Sequence, residues 1–280
     1  MLDMHVHSTK SDGVKTLEEI LEICSENSVK AIGITDHWKT KRYTSNFYVD
    51  DMDDYLKSGE RLKNLGKSKG IDVFLGLEID YTEKYGYPIE IRDLEQFNQL
   101  DYVLFEYVNT QKESWGVLNG KSIETLFHIR DKIKIPVGLA HNDFFNNFND
   151  NYIEIIKKMK EFNIFLELCE GEKLGQTKMN ATSFEKLMDL KKNMSDLDIY
   201  KGKQKISKKK HMRDNKFYFE YFPEDLWKTI KQTKLSLSVS TDSHSGKSIG
   251  NHSKADEYIN NYDLKNQLIF GIGDKYDANL

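Results

Sequence analysis

At 280 residues, with 38 % hydrophobic and 31 % charged side chains, the chain is long enough for one large α/β domain and too apolar to be disordered. Its formal net charge of -4 gives no global attraction to nucleic acid or to an anionic membrane surface, and no run approaches the roughly 18 apolar residues of a membrane span. Two cysteines, Cys24 and Cys169, cannot build a disulfide framework, and His5 and His7 follow Met1 too closely for a cleaved signal peptide, so a reduced, cytoplasmic setting is expected.

In chain order, apolar runs predict strands over Leu2–Val6, Ala31–Thr35, Asp72–Glu78, Asp101–Val108, Ile135–Ala140, Asn163–Cys169 and Leu235–Ser240. Between the first two, Leu17, Ile20, Leu21 and Cys24 recur at helical spacing behind a capping box made by Thr16 and Glu19. Further helices are predicted over Tyr55–Lys69, Ile123–Lys132, Tyr152–Phe162, Ser183–Lys192 and Pro223–Thr233. Strands alternating with helices predict a parallel α/β barrel in a single domain, whose chemistry would sit at the C-terminal ends of the strands. One stretch departs from the pattern. Lys191–Lys216 carries Lys201, Lys203, Lys205, Lys208, Lys209, Lys210 and Arg213, and reads as a solvated basic insertion between the sixth and seventh strands. Its sharper reading is a flap that brings positive charge to a phosphorylated substrate.

Five strands end beside side chains that bind metals. His5 and His7 share one face of the first strand by its alternation, and Asp12 follows in Ser11-Asp12-Gly13, itself also a turn signal. Asp36 and His37 close the second strand, Glu78 the third, His141 follows the fifth, and Asp242 and His244 flank Ser243 after the seventh. Any one motif is weak, but five of the eight histidines fall in this setting, while His128, His211 and His252 do not. Glu78 ends the run Val73–Leu77, where an unpaired charge would be costly and an ion or a base compensates it. Asp36 is expected to orient a ligating imidazole rather than to ligate. The mixed nitrogen and oxygen donors suit zinc, manganese or iron, and the lack of cysteine donors argues against a structural zinc site. Lys39, Arg42 and Lys247 lie near these motifs as candidate phosphate contacts, with surface charge as the simpler reading.

The order His-x-His, Ser-Asp-Gly, Ile-Thr-Asp-His, Gly-Leu-Glu, Ala-His and Ser-x-Asp-x-His resembles the PHP superfamily, named for polymerase and histidinol phosphatase, over His5 to about Gly250. Gly76–Tyr81 and Asp101–Leu104 look particularly like its histidinol-phosphatase branch. The resemblance implies a distorted (β/α)7 TIM-like barrel, two or three divalent ions, and hydrolysis of phosphate esters. It implies that His5, His7, Glu78 and Asp242 bind a first ion, that Glu78 and His141 bind a second, and that Asp12, His37 and His244 bind a third. The chain departs from the family at Glu106, which stands where the family supplies a histidine; it either ligates the second ion or forms a salt bridge elsewhere. The Asn142–Asn147 loop lacks a basic residue for the substrate phosphate, and Glu167–Glu170 is not the small polar sequence of histidinol phosphatases.

The expected reaction is hydrolysis of a small phosphomonoester, histidinol phosphate being the first candidate, by a hydroxide bridging two ions, with Asp242 or His244 protonating the leaving oxygen. A nuclease or cyclic-phosphate phosphodiesterase is the rival within hydrolases; the absence of clustered surface charge outside the basic insertion counts against long nucleic acid. A non-catalytic metal-binding module is the rival from another class, and Glu106 is the residue that feeds it.

Overall fold

The structure, a computed structural model, describes residues 1–43, 47–113, 116–148, 151–171, 212–213 and 216–269. The expected helix over Ser183–Lys192 and nearly all of the basic stretch at 191–216 lie outside the described residues. Seven strands form one parallel sheet in sequence order: β1 (Leu2–Val6), β2 (Ala31–Trp38), β3 (Asp72–Asp80), β4 (Tyr102–Glu106), β5 (Val137–Ala140), β6 (Ile164–Cys169) and β7 (Leu237–Ser240). Around them run α1 (Leu17–Glu26), α2 (Met52–Lys69), α3 (Ile91–Phe97), α4 (Ile123–Arg130), α5 (Phe144–Phe148), α6 (Tyr152–Glu161), α7 (Glu224–Thr233) and α8 (Ser253–Asn261). The α/β, TIM-like barrel expected from the alternation is the observed fold. Among the described residues no helix is long and apolar enough to cross a membrane.

The ends of the elements differ from expectation for local reasons. β2 runs three residues past Thr35, so that Asp36 and His37 lie within the strand and pair with Leu77 and Glu78 of β3. β4 stops at Glu106 because Tyr107 turns to a positive φ of 65°. β5 starts after Pro136, whose ring leaves no N–H to donate and whose carbonyl accepts from Val103. The helix α2 starts at Met52, because the Asp51 side chain accepts from the Asp54 N–H. Three short helices, α3, α5 and α8, were not anticipated. The box formed by Glu90 and Asp93 starts α3, and the buried Glu170 carboxylate accepts from the Ala255 N–H in the first turn of α8.

Among the described residues, the backbones of β1 and β7 meet at the C-terminal mouth of the barrel. Past the end of β7, Val6 and Ser243 make a parallel bridge; the His7 N–H donates to the Ser243 carbonyl at 2.9 Å and the Ser243 N–H to that of His5 at 3.3 Å. Deeper in the seam, the buried Asp3 carboxylate accepts from the Thr241 N–H, the Thr241 hydroxyl and the Gly250 N–H at 3.0, 2.6 and 2.9 Å. His252, also buried, donates to the Leu2 carbonyl. These polar stitches set His5 and His7 beside Asp242 and His244.

Below the mouth, the Tyr102 side chain crosses the interior and its hydroxyl donates to the Met4 carbonyl at 2.7 Å. Gly33 and Gly76 make room for it: a Cβ on Gly33 would lie 2.0 Å from the Tyr102 oxygen and 2.9 Å from the Met4 oxygen, and one on Gly76 would lie 2.9 Å from the ring. Thus Gly33→Ala should cost about 2 kcal/mol by overpacking, read from urea denaturation. Adding Tyr102→Phe should recover part of that loss, because it removes the nearest clashing atom.

Candidate metal centre

Strand alternation and register bring the candidate residues to the mouth. His5 and His7 face inward from β1, His37 faces Glu78 across the β2–β3 pair, and Asp80 faces Glu106 across β3–β4. His141 follows β5 directly and Asp242 comes just after Thr241 at the end of β7, with positive φ of 28° and 45°. Non-glycine residues rarely adopt such a φ, and here it turns both side chains back over the barrel. All are buried except His244, which is partly exposed.

Three groups of these residues have donor atoms within 4.8 Å of one another: His7, Asp12, His37 and His244; His5, Glu78 and His141; and His5, His7 and Asp242. A fourth comprises His37, Asp80 and Glu106. Nitrogen–oxygen contacts within the groups include 2.7 Å from His141 Nε2 to Glu78 Oε1, 3.1 Å from His37 Nδ1 to Glu78 Oε2 and 3.1 Å from His7 Nε2 to Asp242 Oδ1. His244 Nε2 lies 3.2 Å from Asp12 Oδ2, and the Tyr43 hydroxyl donates to that oxygen at 3.1 Å. The Nε2 atoms of His5 and His7 face each other at 3.0 Å.

Electrostatics sharpen this picture. Burial depresses the His5 pKa, but Glu167, Glu78 and Asp242 outweigh it and hold the imidazole well above its ordinary value. Burial raises the Glu78 pKa, but His37, His5 and His141 overcome it and hold the carboxyl well below the usual range. His7 lies below its ordinary value, through burial and the neighbouring His244. The cluster is thus a buried set of anionic oxygens and convergent ring nitrogens, two of which point at one another. That donor set fits divalent cations: the Glu78 carboxylate stays ionised, imidazoles offer lone pairs once an ion displaces their proton, and the donors lie close enough to share an ion.

Several supporting residues escaped the sequence reading. Glu167 seemed only a departure from a family pattern, yet it is fully buried under the site. Its Oε1 lies 2.9 Å from His5 Nδ1 and accepts from the Ser240 hydroxyl at 2.8 Å, and its Oε2 accepts from the His141 N–H at 2.6 Å. A charged residue inside the apolar run Ile164–Cys169 was the available signal. Asp36 does not touch the ring of His37. It accepts from the Ser8 N–H and hydroxyl, at 2.8 and 2.7 Å, and from the Ser11 hydroxyl, whose oxygen lies 3.3 Å from His7 Nδ1. The imidazole that it positions is therefore that of His7.

The three basic candidates separate. Lys39 pairs with Asp93 at 3.3 Å, and Lys247 is exposed. The surface reading of Arg42 is corrected: its side chain is 7 % exposed and its guanidinium meets both Asp80 and Glu106. Of the remaining histidines, His128 is exposed, His252 is buried in the seam, and His211 lies outside the described residues.

The PHP domain family matches residues 3–265. The chain belongs to the PHP domain family. Among solved structures, this PHP domain is similar to histidinol phosphate phosphatase from Lactococcus lactis, complexed with zinc, L-histidinol and phosphate: 16 % identity, 93 % of each chain covered, and a TM-score of 0.54. At that identity the likeness concerns the fold. Among curated relatives, it is 30 % identical over 93 residues to the phosphoribosyl 1,2-cyclic phosphate 1,2-diphosphodiesterase of Eggerthella lenta, covering 33 % of this chain and 29 % of the relative. It is 25 % identical over 115 residues to CapC of Staphylococcus aureus, which carries the provisional name of a tyrosine-protein phosphatase, covering 40 % of this chain and 44 % of the relative. The matched stretches thus span less than half of either curated relative.

If Glu167 orients His5 for an ion, Glu167→Gln should weaken zinc binding by about 10-fold or more, with the circular dichroism spectrum unchanged. Competition against a chromophoric chelator measures this, and unchanged affinity would remove Glu167 from the site.

Proposed function

We propose that this PHP domain is a metal-dependent phosphoesterase that hydrolyses a small phosphomonoester, with histidinol phosphate as the first substrate to test. The observation that carries the proposal is the convergence of five histidines and three carboxylates, from five strand ends, into three overlapping groups that can each hold a divalent ion. The similar Lactococcus lactis fold, with its zinc, histidinol and phosphate, supports the same reading.

In this reading, His5, His7 and Asp242 hold one ion, His5, Glu78 and His141 a second, and Asp12, His37 and His244, with His7 adjoining, a third. Divalent ions bound in these groups would neutralise the phosphoryl oxygens and lower the pKa of water to near ~7. Glu78, kept ionised, contributes a carboxylate oxygen to His37 and another to His141, and so ties the groups together. Glu167 fixes the His5 ring, and Ser11, held by Asp36, steadies that of His7. The enclosing backbone keeps bulk water from these groups, which strengthens their hold on an anionic substrate. The leaving oxygen needs a proton, which Asp242 or His244 would supply, whichever of the two is not holding an ion. They lie 3.6 Å apart on the solvent side of the cluster, with His244 the most exposed imidazole of the set. The buried free thiols of Cys24 and Cys169 accord with a reducing, cytoplasmic setting.

Hydrolysis of a cyclic phosphodiester is a second reading, favoured by the local identity to the Eggerthella lenta diphosphodiesterase. Both readings require the same centre. The test is phosphate release from histidinol phosphate by protein loaded with manganese or zinc, beside His37→Ala. Release should fall at least 100-fold in the variant, on the order expected when a catalytic metal group is dismantled. Equal turnover by both proteins would contradict the assignment, and release only from a cyclic phosphate would select the second reading.

A further inference from the structure

The residue that departs from the family pattern, Glu106, has a partner of its own. The β3–β4 register sets it directly opposite Asp80, with both side chains buried and facing inward. Like charges opposite one another in a sheet repel, and burial removes the water that would screen them. A cation between them relieves that repulsion. In the structure that cation is Arg42, whose Nη2 contacts both carboxylates.

Arg42 is held there independently of the two acids. Thr40 bridges to Gly86, the Lys41 N–H donates to the Tyr85 carbonyl at 2.8 Å, and the Arg42 N–H to the Thr40 hydroxyl at 3.0 Å. The guanidinium carbon lies 4.9 Å from the Tyr107 ring centre and 5.5 Å from that of Tyr85. Such stacking suits a planar, weakly hydrated cation that stays charged at any working pH. The acid nearest to His141 Nε2 is Glu78 at 2.7 Å, whereas Glu106 lies at 3.4 Å.

We propose that Arg42 is a built-in cation of the metal centre: it takes the Asp80–Glu106 pair, so that Glu106 is a guanidinium partner and not a metal ligand. The Asp80–Glu106 pair beside His37 is then reserved for Arg42, and the centre needs one ion fewer than its acidic residues could hold. Arg42 thus joins the mouth loop after β2 to the strand ends of β3 and β4. This inference rests on the metal-centre reading above.

The test is zinc content per chain, by mass spectrometry after loading and dialysis, with folding followed by circular dichroism. Glu106→Gln should keep the wild-type zinc content, because no ligand is lost. Arg42→Met should gain one zinc per chain, as Asp80 and Glu106, beside His37, lose their guanidinium partner. That gain should vanish in Arg42→Met/Glu106→Gln. Loss of one zinc in Glu106→Gln, or no gain in folded Arg42→Met, would overturn the proposal while leaving the metal centre standing. If Arg42→Met does not fold, Glu106→Gln alone decides. Wild-type protein that retains no zinc would instead overturn the metal-centre reading itself.

Discussion

Buried like charge is the constraint on which this molecule depends. Asp12, Glu78, Asp80, Glu106, Glu167 and Asp242 are withdrawn from water at one end of one barrel. Left unpaired, each would cost several kcal/mol. The surrounding architecture answers that cost. Five imidazoles converge on the same space, Arg42 enters from the loop after β2, and backbone N–H groups turn toward Glu167 and Asp36. Further positive charge is what the arrangement calls for, and divalent ions supply it in the most compact form.

The fold serves this end through register. Parallel pairing sets His37 beside Glu78 and Asp80 beside Glu106, so that ligand-type residues lie side by side without any long loop to position them. Closure through Val6 and Ser243, rather than through a full ladder, draws the ends of β1 and β7 together where four candidate ligands sit. Beneath, the Tyr102 ring and the glycines around it form a packed floor. The site therefore lies over a packed interior.

Much of this was legible in the sequence, for physical reasons. Alternation gave the shared face of His5 and His7, and the end of an apolar run marked Glu78 as a charge needing a partner. The seven strands and their order followed from apolar runs alternating with helical ones. What stayed hidden needed three-dimensional neighbours. Arg42 lies 38 residues from Asp80 in the chain, and only the pinning of residues 40–42 against the turn after β3 brings the two together. Asp36 adjoins His37 in sequence but serves His7, because strand alternation sends it toward the Ser8–Ser11 loop. Glu167 is a carboxylate within an apolar strand, but its partners His5, Ser240 and His141 are distant in sequence and are brought to it only by the closed barrel. The short helices α3 and α8 depend on caps formed by acidic side chains, one local and one 85 residues away, more than on any long apolar stripe.

The most direct measurement is anomalous X-ray scattering at the zinc edge from crystals of zinc-loaded protein. The account predicts at least two peaks at the barrel mouth, within the groups built on His5, His7, Glu78, His141 and Asp242 and on Asp12, His37 and His244. An empty mouth, or zinc bound only at surface residues such as His128, would contradict it.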